Sequence, residues 1–158
     1  LIKIEGLTKQ FPGSATLALK EINTEIAKGQ IVGIVGPDGS GKTTLMRTLA
    51  ALLSPTKGSV TIDGYDTMKN PESIHELTGY MPQKFGLYEE LTIEQNLTLY
   101  ADLCGLVGEE RKLSFEKLLH FTNLAPFMSR LARNLSGGMK QKLGLACALL
   151  KKPALLLL

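Results

Sequence analysis

Apolar and polar positions alternate over residues 1–7, with Ile2, Ile4 and Leu7 on the apolar side, which predicts a half-exposed strand. A second strand is predicted over residues 17–26, where Leu17, Leu19, Ile22 and Ile26 are apolar, and Lys28-Gly29 is a turn signal. The run Ile31-Val32-Gly33-Ile34-Val35 is almost continuously apolar and rich in β-branched residues. That pattern predicts a strand buried on both faces. A glycine-rich loop follows, and then Leu45, Leu49 and Leu52 recur at helical spacing over residues 43–53, up to Pro55.

Downstream, GSVTIDG at 58–64 predicts a short strand between turn glycines, residues 74–77 a brief helix, and residues 79–81 a strand ended by Pro82. Thr92 with Gln95 three positions later has the spacing of a capping box, in which each side chain satisfies the other residue's backbone N–H. From there to about residue 132 the pattern is helical, and it is helical again over 137–150. Pro153 breaks that run, and residues 154–158 form a bare apolar strand. Strands alternating with helices, interrupted by a helical insert, predict an α/β fold whose main sheet is parallel.

Composition narrows the classes. The chain has 158 residues, 44% hydrophobic and 21% charged, enough for one domain with a real core. A net charge of +3 without a block of like charges gives no reason to expect direct nucleic-acid binding. Cys104 and Cys147 are far apart and form no CxxC pair, so they read as small core side chains in a reducing compartment rather than as a zinc or disulfide framework. No apolar run approaches the roughly 20 residues that span a bilayer, and no signal-peptide pattern opens the chain. The missing initiator Met suggests that both ends were trimmed from a longer protein.

The first motif that carries chemistry is Gly36-Pro37-Asp38-Gly39-Ser40-Gly41-Lys42-Thr43, followed by Thr44. It fits G-x-x-x-x-G-K-S/T at every required position, with a strand predicted before it and a helix after. A triphosphate is a dense anion. Glycines let successive backbone N–H groups curl inward around it, and the following helix adds unpaired N–H donors and its dipole. Lys42 brings a mobile cation to the outer phosphates, and the Thr43 hydroxyl suits Mg²⁺, a hard ion that prefers oxygen. The bland alternative is a glycine-rich turn with an incidental lysine. No N-K-x-D motif follows, which weighs against a GTPase.

The second motif is Leu135-Ser136-Gly137-Gly138-Met139. A serine and two glycines opening a helix offer a hydroxyl, free amides and no obstruction, which describes a second anion site and equally an ordinary serine-capped helix. Together the two motifs resemble the ABC family of ATPases, and the resemblance extends over essentially the whole chain. It implies a P-loop NTPase core with a mainly parallel sheet, a small antiparallel β part and an inserted helical signature subdomain. Residues 1–91 and 135–158 would form the core, incomplete at its C-terminal end, and 92–134 the helical subdomain.

In that family two cassettes pair head to tail, so Ser136, Gly137 and Gly138 would touch the γ-phosphate of ATP held by residues 36–44 of a partner cassette. The family more often has Gln where Met139 stands, so only the backbone contacts carry over. Phe11 lies where the family places an aromatic that stacks on adenine, and a core role is its alternative. Gln83 sits at the family's Q-loop, where its amide oxygen reaches Mg²⁺ or the attacking water. Phe85, Leu87 and Tyr88 follow where transmembrane subunits dock, or else Phe85 and Leu87 close the local core.

PDGSGKTTLMR, YMPQKFGLYEELTI and LSGGMKQKLGLA resemble bacterial exporters of the drug-efflux type. The implied protein is a cytoplasmic ATPase, peripheral at the inner face of the inner membrane, that uses ATP and Mg²⁺ to power export. A soluble ABC ATPase acting on ribosomes or nucleic acid, and a non-catalytic ATP-binding module, share these motifs. The family's Mg²⁺-binding Asp, its water-polarising Glu and its switch His would all come after Leu158, and neither His75 nor His120 is placed to replace that His. Residues 1–158 alone are therefore expected to bind ATP, to hydrolyse it negligibly, and to expose a strand edge prone to aggregation.

Overall fold

A computed structural model describes residues 2–83 and 86–158. The described residues form two compact units, one up to Leu77 and one from Thr78 onward.

The first unit is built on an antiparallel sheet. Strands β1 (Ile2–Gln10), β2 (Leu17–Ile26), β3 (Lys57–Ile62) and β4 (Tyr65–Asp66) lie in the order β2-β1-β3-β4. Alternation places Ile2, Ile4 and Leu7 of β1 in the core, and the register sets Ile2 opposite Ile62 and Ile4 opposite Val60. The Asp-Gly pair within the predicted 58–64 strand is instead its end. Asp63 (φ 50°) and Gly64 (φ 88°) have the paired positive φ of a type I′ turn, which reverses the chain into β4.

Helix α1 (Lys42–Leu49) packs against β2 and β3, and α2 (Pro71–Leu77) begins with a proline, whose fixed φ suits a first helical turn. Helix α1 stops short of the predicted residue 53. Ala51 turns left-handed (φ 54°), its N–H reaches Thr48 O at 3.1 Å, and Leu52 N–H reaches Arg47 O at 2.9 Å. This is a Schellman termination, with alanine where glycine is usual. It leaves Leu52 exposed.

The segment 31–35 differs from expectation. It joins no ladder among the described residues, and Ile31 and Val35 are almost fully exposed. A continuous apolar run becomes a strand only where neighbours take both its edges and both its faces. The sheet's order is β2-β1-β3-β4, and the segment pairs with neither of its outer strands, β2 or β4.

The second unit contains the helices. Strand β5 (Thr78–Tyr80) pairs in parallel with β6 (Leu155–Leu157), and Met81 N–H extends the ladder to Leu157 O at 2.9 Å. Around this pair lie α3 (Ile93–Leu103), α4 (Gly108–Thr122) and α5 (Gly137–Leu149), with short 3₁₀ turns at Ala125–Phe127 and Ala132–Asn134. Thr92 caps α3 through the expected reciprocal box, Gln95 N–H to Thr92 Oγ1 at 3.1 Å and Thr92 N–H to Gln95 Oε1 at 2.9 Å.

Helices α3 and α4 pack on α5 around Ile93, Leu97, Leu119, Leu143 and Cys147. Cys147 is buried as expected, whereas Cys104 is half-buried, and both thiols are free. Burial pushes the Cys147 thiol up to about 12. The class is α/β, with an antiparallel sheet in one unit, a parallel pair in the other and, among the described residues, five α-helices.

Candidate functional site

The loop at 36–43 wraps around its own lysine. Lys42 Nζ donates to Gly36 O at 2.7 Å and to Pro37 O at 2.8 Å, while Ser40 N–H closes a turn onto Pro37 O at 3.2 Å. The curl depends on backbone that other residues resist. Gly39 and Gly41 are left-handed, with φ of 79° and 91°. At Gly41 a Cβ would also lie 2.3 Å from Ala18 O and 3.0 Å from Leu19 Cδ2. Only glycine lets the loop sit this close to β2.

Gly41 is the N-cap of α1 and supplies no side-chain cap, so the first-turn amides have no side-chain acceptor, and no acidic residue opposes them. Unpaired amides, the positive end of the helix dipole and the Lys42 ammonium therefore share one place. Beside them is a cavity of about 290 Å³, lined by Leu19, Ile22, Gly36, Ser40, Gly41 and Lys42 among others. Asp38 is exposed on the loop, Thr43 is exposed in the first turn, and Thr44 is half-buried. Leu19 and Ile22 were legible only as apolar strand positions, because nothing in the pattern of β2 tied that strand to the loop.

Phe11 follows β1 and is 39% exposed, which removes the core alternative. Gln83 is exposed, after β5 in the second unit. Phe85 lies outside the described residues. Leu87 packs against the core of the helical unit, whereas Tyr88 is exposed.

Residues 86–92 are held by two side chains that carried no sequence signal of their own. Asn96, fully buried, accepts from Tyr88 N–H at 2.9 Å and donates to Tyr88 O, Leu91 O and Thr92 O at 3.0, 3.2 and 2.9 Å. The Tyr100 hydroxyl donates to Gly86 O at 2.8 Å. Glu89 pairs with Lys140 of α5 at 2.9 Å, and this ammonium holds the Glu89 carboxyl below the usual carboxylate range.

At the second motif, Ser136 is the N-cap of α5, and its Oγ accepts from Met139 N–H at 3.3 Å. The Met139 side chain packs against the helical core, which gives that position an internal role. Gly137 and Gly138 are different. Neither has a positive φ, and a Cβ on either would meet nothing within 4 Å. Each glycine costs roughly 1 kcal/mol against alanine in a helix. The fold of this chain gives no return for using glycine twice there.

The ABC transporter family pattern matches residues 19–158, and the chain belongs to that family. Over all 158 residues it is 56% identical to the probable multidrug ABC transporter ATP-binding protein YbhF of Escherichia coli, strain K12, covering 27% of that protein. The chain thus spans about a quarter of the length of that relative.

A solved ATP-binding subunit of an ABC transporter superposes with a TM-score of 0.86 at 31% identity, over 99% of this chain and 64% of that one. The ATP-binding cassette MJ0796, solved as a dimer in a post-hydrolysis state with ADP and Pi, gives a TM-score of 0.85 at 30% identity, over 99% of this chain and 72% of that one.

Proposed function

We propose that this chain is the ATP-binding part of a transport ATPase. In the full-length protein, residues 36–44 grip the phosphates of ATP while Ser136, Gly137 and Gly138 of a second cassette close over the far end. The observation that carries this reading is the loop geometry, in which left-handed glycines, unpaired α1 amides and the Lys42 ammonium meet beside an open cavity. Lys42 turns from Gly36 O and Pro37 O to the outer phosphates when they arrive, exchanging two neutral acceptors for charged ones. Phe11 stacks on the base. The two unobstructed glycines of α5 leave room for a phosphate brought by a partner, in keeping with the dimeric form of the related cassette.

The Mg²⁺ that accompanies ATP fits the donors present. Thr43 of the first unit and Gln83 of the second are each exposed, and each offers a neutral oxygen, the donor type that suits the ion where phosphates and water supply most of its coordination. The ion, when bound, offsets charge on the β- and γ-phosphates. Residues 1–91 and 135–158 make the nucleotide core and 92–134 the helical part that leads into Ser136, Gly137 and Gly138, while Leu87 and Tyr88 meet the transmembrane subunits. No described helix is long and apolar enough to cross a membrane. The likeness to YbhF, named as a probable multidrug transporter's ATP-binding protein, favours export of the drug-efflux type.

The test is calorimetric titration of the full-length protein with ATP and Mg²⁺. Lys42→Ala should weaken binding at least about tenfold, the effect of one lost charge-assisted bond of ~1.5–3 kcal/mol. Its thermal unfolding should stay close to that of the parent, because the bonds it loses are exposed. Unchanged affinity would overturn the reading.

A further inference from the structure

The ring of Phe11 has a second partner. Lys9 lies near the end of β1, and Phe11 directly follows that strand. Lys9 Nζ lies over the ring, 5.4 Å from its centroid, within the range at which a cation is attracted to the negative face of an aromatic ring.

Both members of the pair are anchored. Lys9 Nζ donates to Ser54 O at 2.6 Å, and among the described residues no carboxylate pairs with it. Behind the ring, Gln10 N–H donates to Thr56 Oγ1 at 3.0 Å, Thr56 Oγ1 donates back to Gln10 O at 3.3 Å, and Gln10 Nε2 donates to Ser14 O at 2.8 Å. Ser14 N–H closes the turn onto Phe11 O at 3.1 Å. The ring thus stands on a pinned backbone, with a tethered cation on one face and 39% of the residue still open to solvent.

We infer that Lys9 is a positioning residue for the base of the nucleotide: it holds one face of Phe11 and leaves the opposite face as the stacking surface. A cation on one side draws π density toward itself. The opposite face then repels the π cloud of a purine less and stacks on it better. The tether to Ser54 O keeps the ammonium in place, so the ring is oriented before the base arrives, and less orientational freedom is lost on binding. Lys9 touches neither base nor phosphate in this arrangement. The inference rests on the reading that Phe11 stacks on the base.

The experiment is a double-mutant cycle on the full-length protein, with ATP and inorganic tripolyphosphate as separate titrants. Lys9→Met should weaken ATP binding by about two- to five-fold, the span of an exposed cation–π contact, and leave tripolyphosphate binding unchanged. Lys9→Arg should restore ATP binding, because a guanidinium also sits over a ring. In a Phe11→Leu background, Lys9→Met should have no further effect on ATP.

Equal weakening of ATP and tripolyphosphate would show a general attraction for phosphate and overturn the inference. Tighter ATP binding in Lys9→Met would place the ammonium on the face the base needs, and would overturn it as well. An unchanged ATP affinity, or the same loss with and without Phe11, would do the same. If Phe11→Leu alone leaves ATP binding intact, the stacking reading itself fails, and that result is separate from any behaviour of Lys9.

Discussion

Asn96→Asp changes one buried NH₂ to oxygen, and the structure makes its cost calculable. The Asn96 NH₂ shares its two hydrogens among Tyr88 O, Leu91 O and Thr92 O, and the amide oxygen accepts from Tyr88 N–H. A carboxylate keeps the accepted bond and loses both donated hydrogens. Each carbonyl retains another donor: Leu91 N–H at 3.1 Å for Tyr88 O, Ala132 N–H at 2.8 Å for Leu91 O, and Asn96 N–H at 2.9 Å for Thr92 O. The cost therefore lies in the charge, which is buried and faces three carbonyl oxygens. Two donated hydrogens at about 1 kcal/mol each set a floor near 2 kcal/mol, and the unpaired charge adds to it.

Protonation should relieve part of that cost. The introduced carboxyl has its folded-state pKa raised above an unfolded value of about 3.9, because desolvation and the facing carbonyls oppose its charge. The penalty is then least below that unfolded value and grows as pH rises through the folded one. Urea unfolding followed by circular dichroism should show a lower midpoint for Asn96→Asp at pH 7.5, with partial recovery at pH 5 relative to the parent. Hydrogen exchange at the Tyr88 amide should accelerate. A midpoint no lower than that of Glu94→Gln, an exposed change on the same helix, would refute the reasoning. So would a midpoint difference that did not shrink on acidification.

Gly41→Ala should lower both nucleotide affinity and melting temperature, since a left-handed residue with a side chain costs about 1–2 kcal/mol and its Cβ also strikes Ala18 O. Gly39→Ala, left-handed but in open space, should cost the conformational part alone. Gly138→Ala should leave thermal stability equal or up to about 1 kcal/mol higher while reducing ATP-driven turnover of the full-length protein, which calorimetry and phosphate release would report together. Cys147 should resist iodoacetamide at pH 8 in the folded protein and react once urea unfolds it. Its raised pKa stabilises the fold fully below its ordinary value of 9.0, and that contribution is lost as pH rises from there toward about 12, so an alkaline melt series should decline over that window.

What the pattern predicted and what it missed follow physical lines. The Thr92 box and the cap at Ser136 were legible because each depends on neighbours within a few residues, whereas the strands predicted at 79–81 and 154–158 were legible as apolar runs but their pairing, Thr78–Tyr80 with Leu155–Leu157, was not. The phosphate loop was legible for the same reason as the two caps. The segment 31–35 was not, because an apolar run states that it needs cover without stating which edge supplies it. The end of α1 was missed because alanine seldom takes the left-handed position that Ala51 holds. Asn96 and Lys9 are ordinary residues in sequence. Their importance comes from partners such as Tyr88 O and the Phe11 ring, which only the folded chain brings to them. Ser136 reads as a cap in this fold, and its proposed second duty needs a molecule outside the chain.

The most direct measurement traps ADP and vanadate on the full-length protein and irradiates it, so that the vanadate cuts backbone next to the γ-phosphate position. Fragments should map to two places, residues 36–43 and residues 136–138, both suppressed by Lys42→Ala. Cutting confined to the first segment, with 136–138 untouched under trapping conditions, would contradict the shared site.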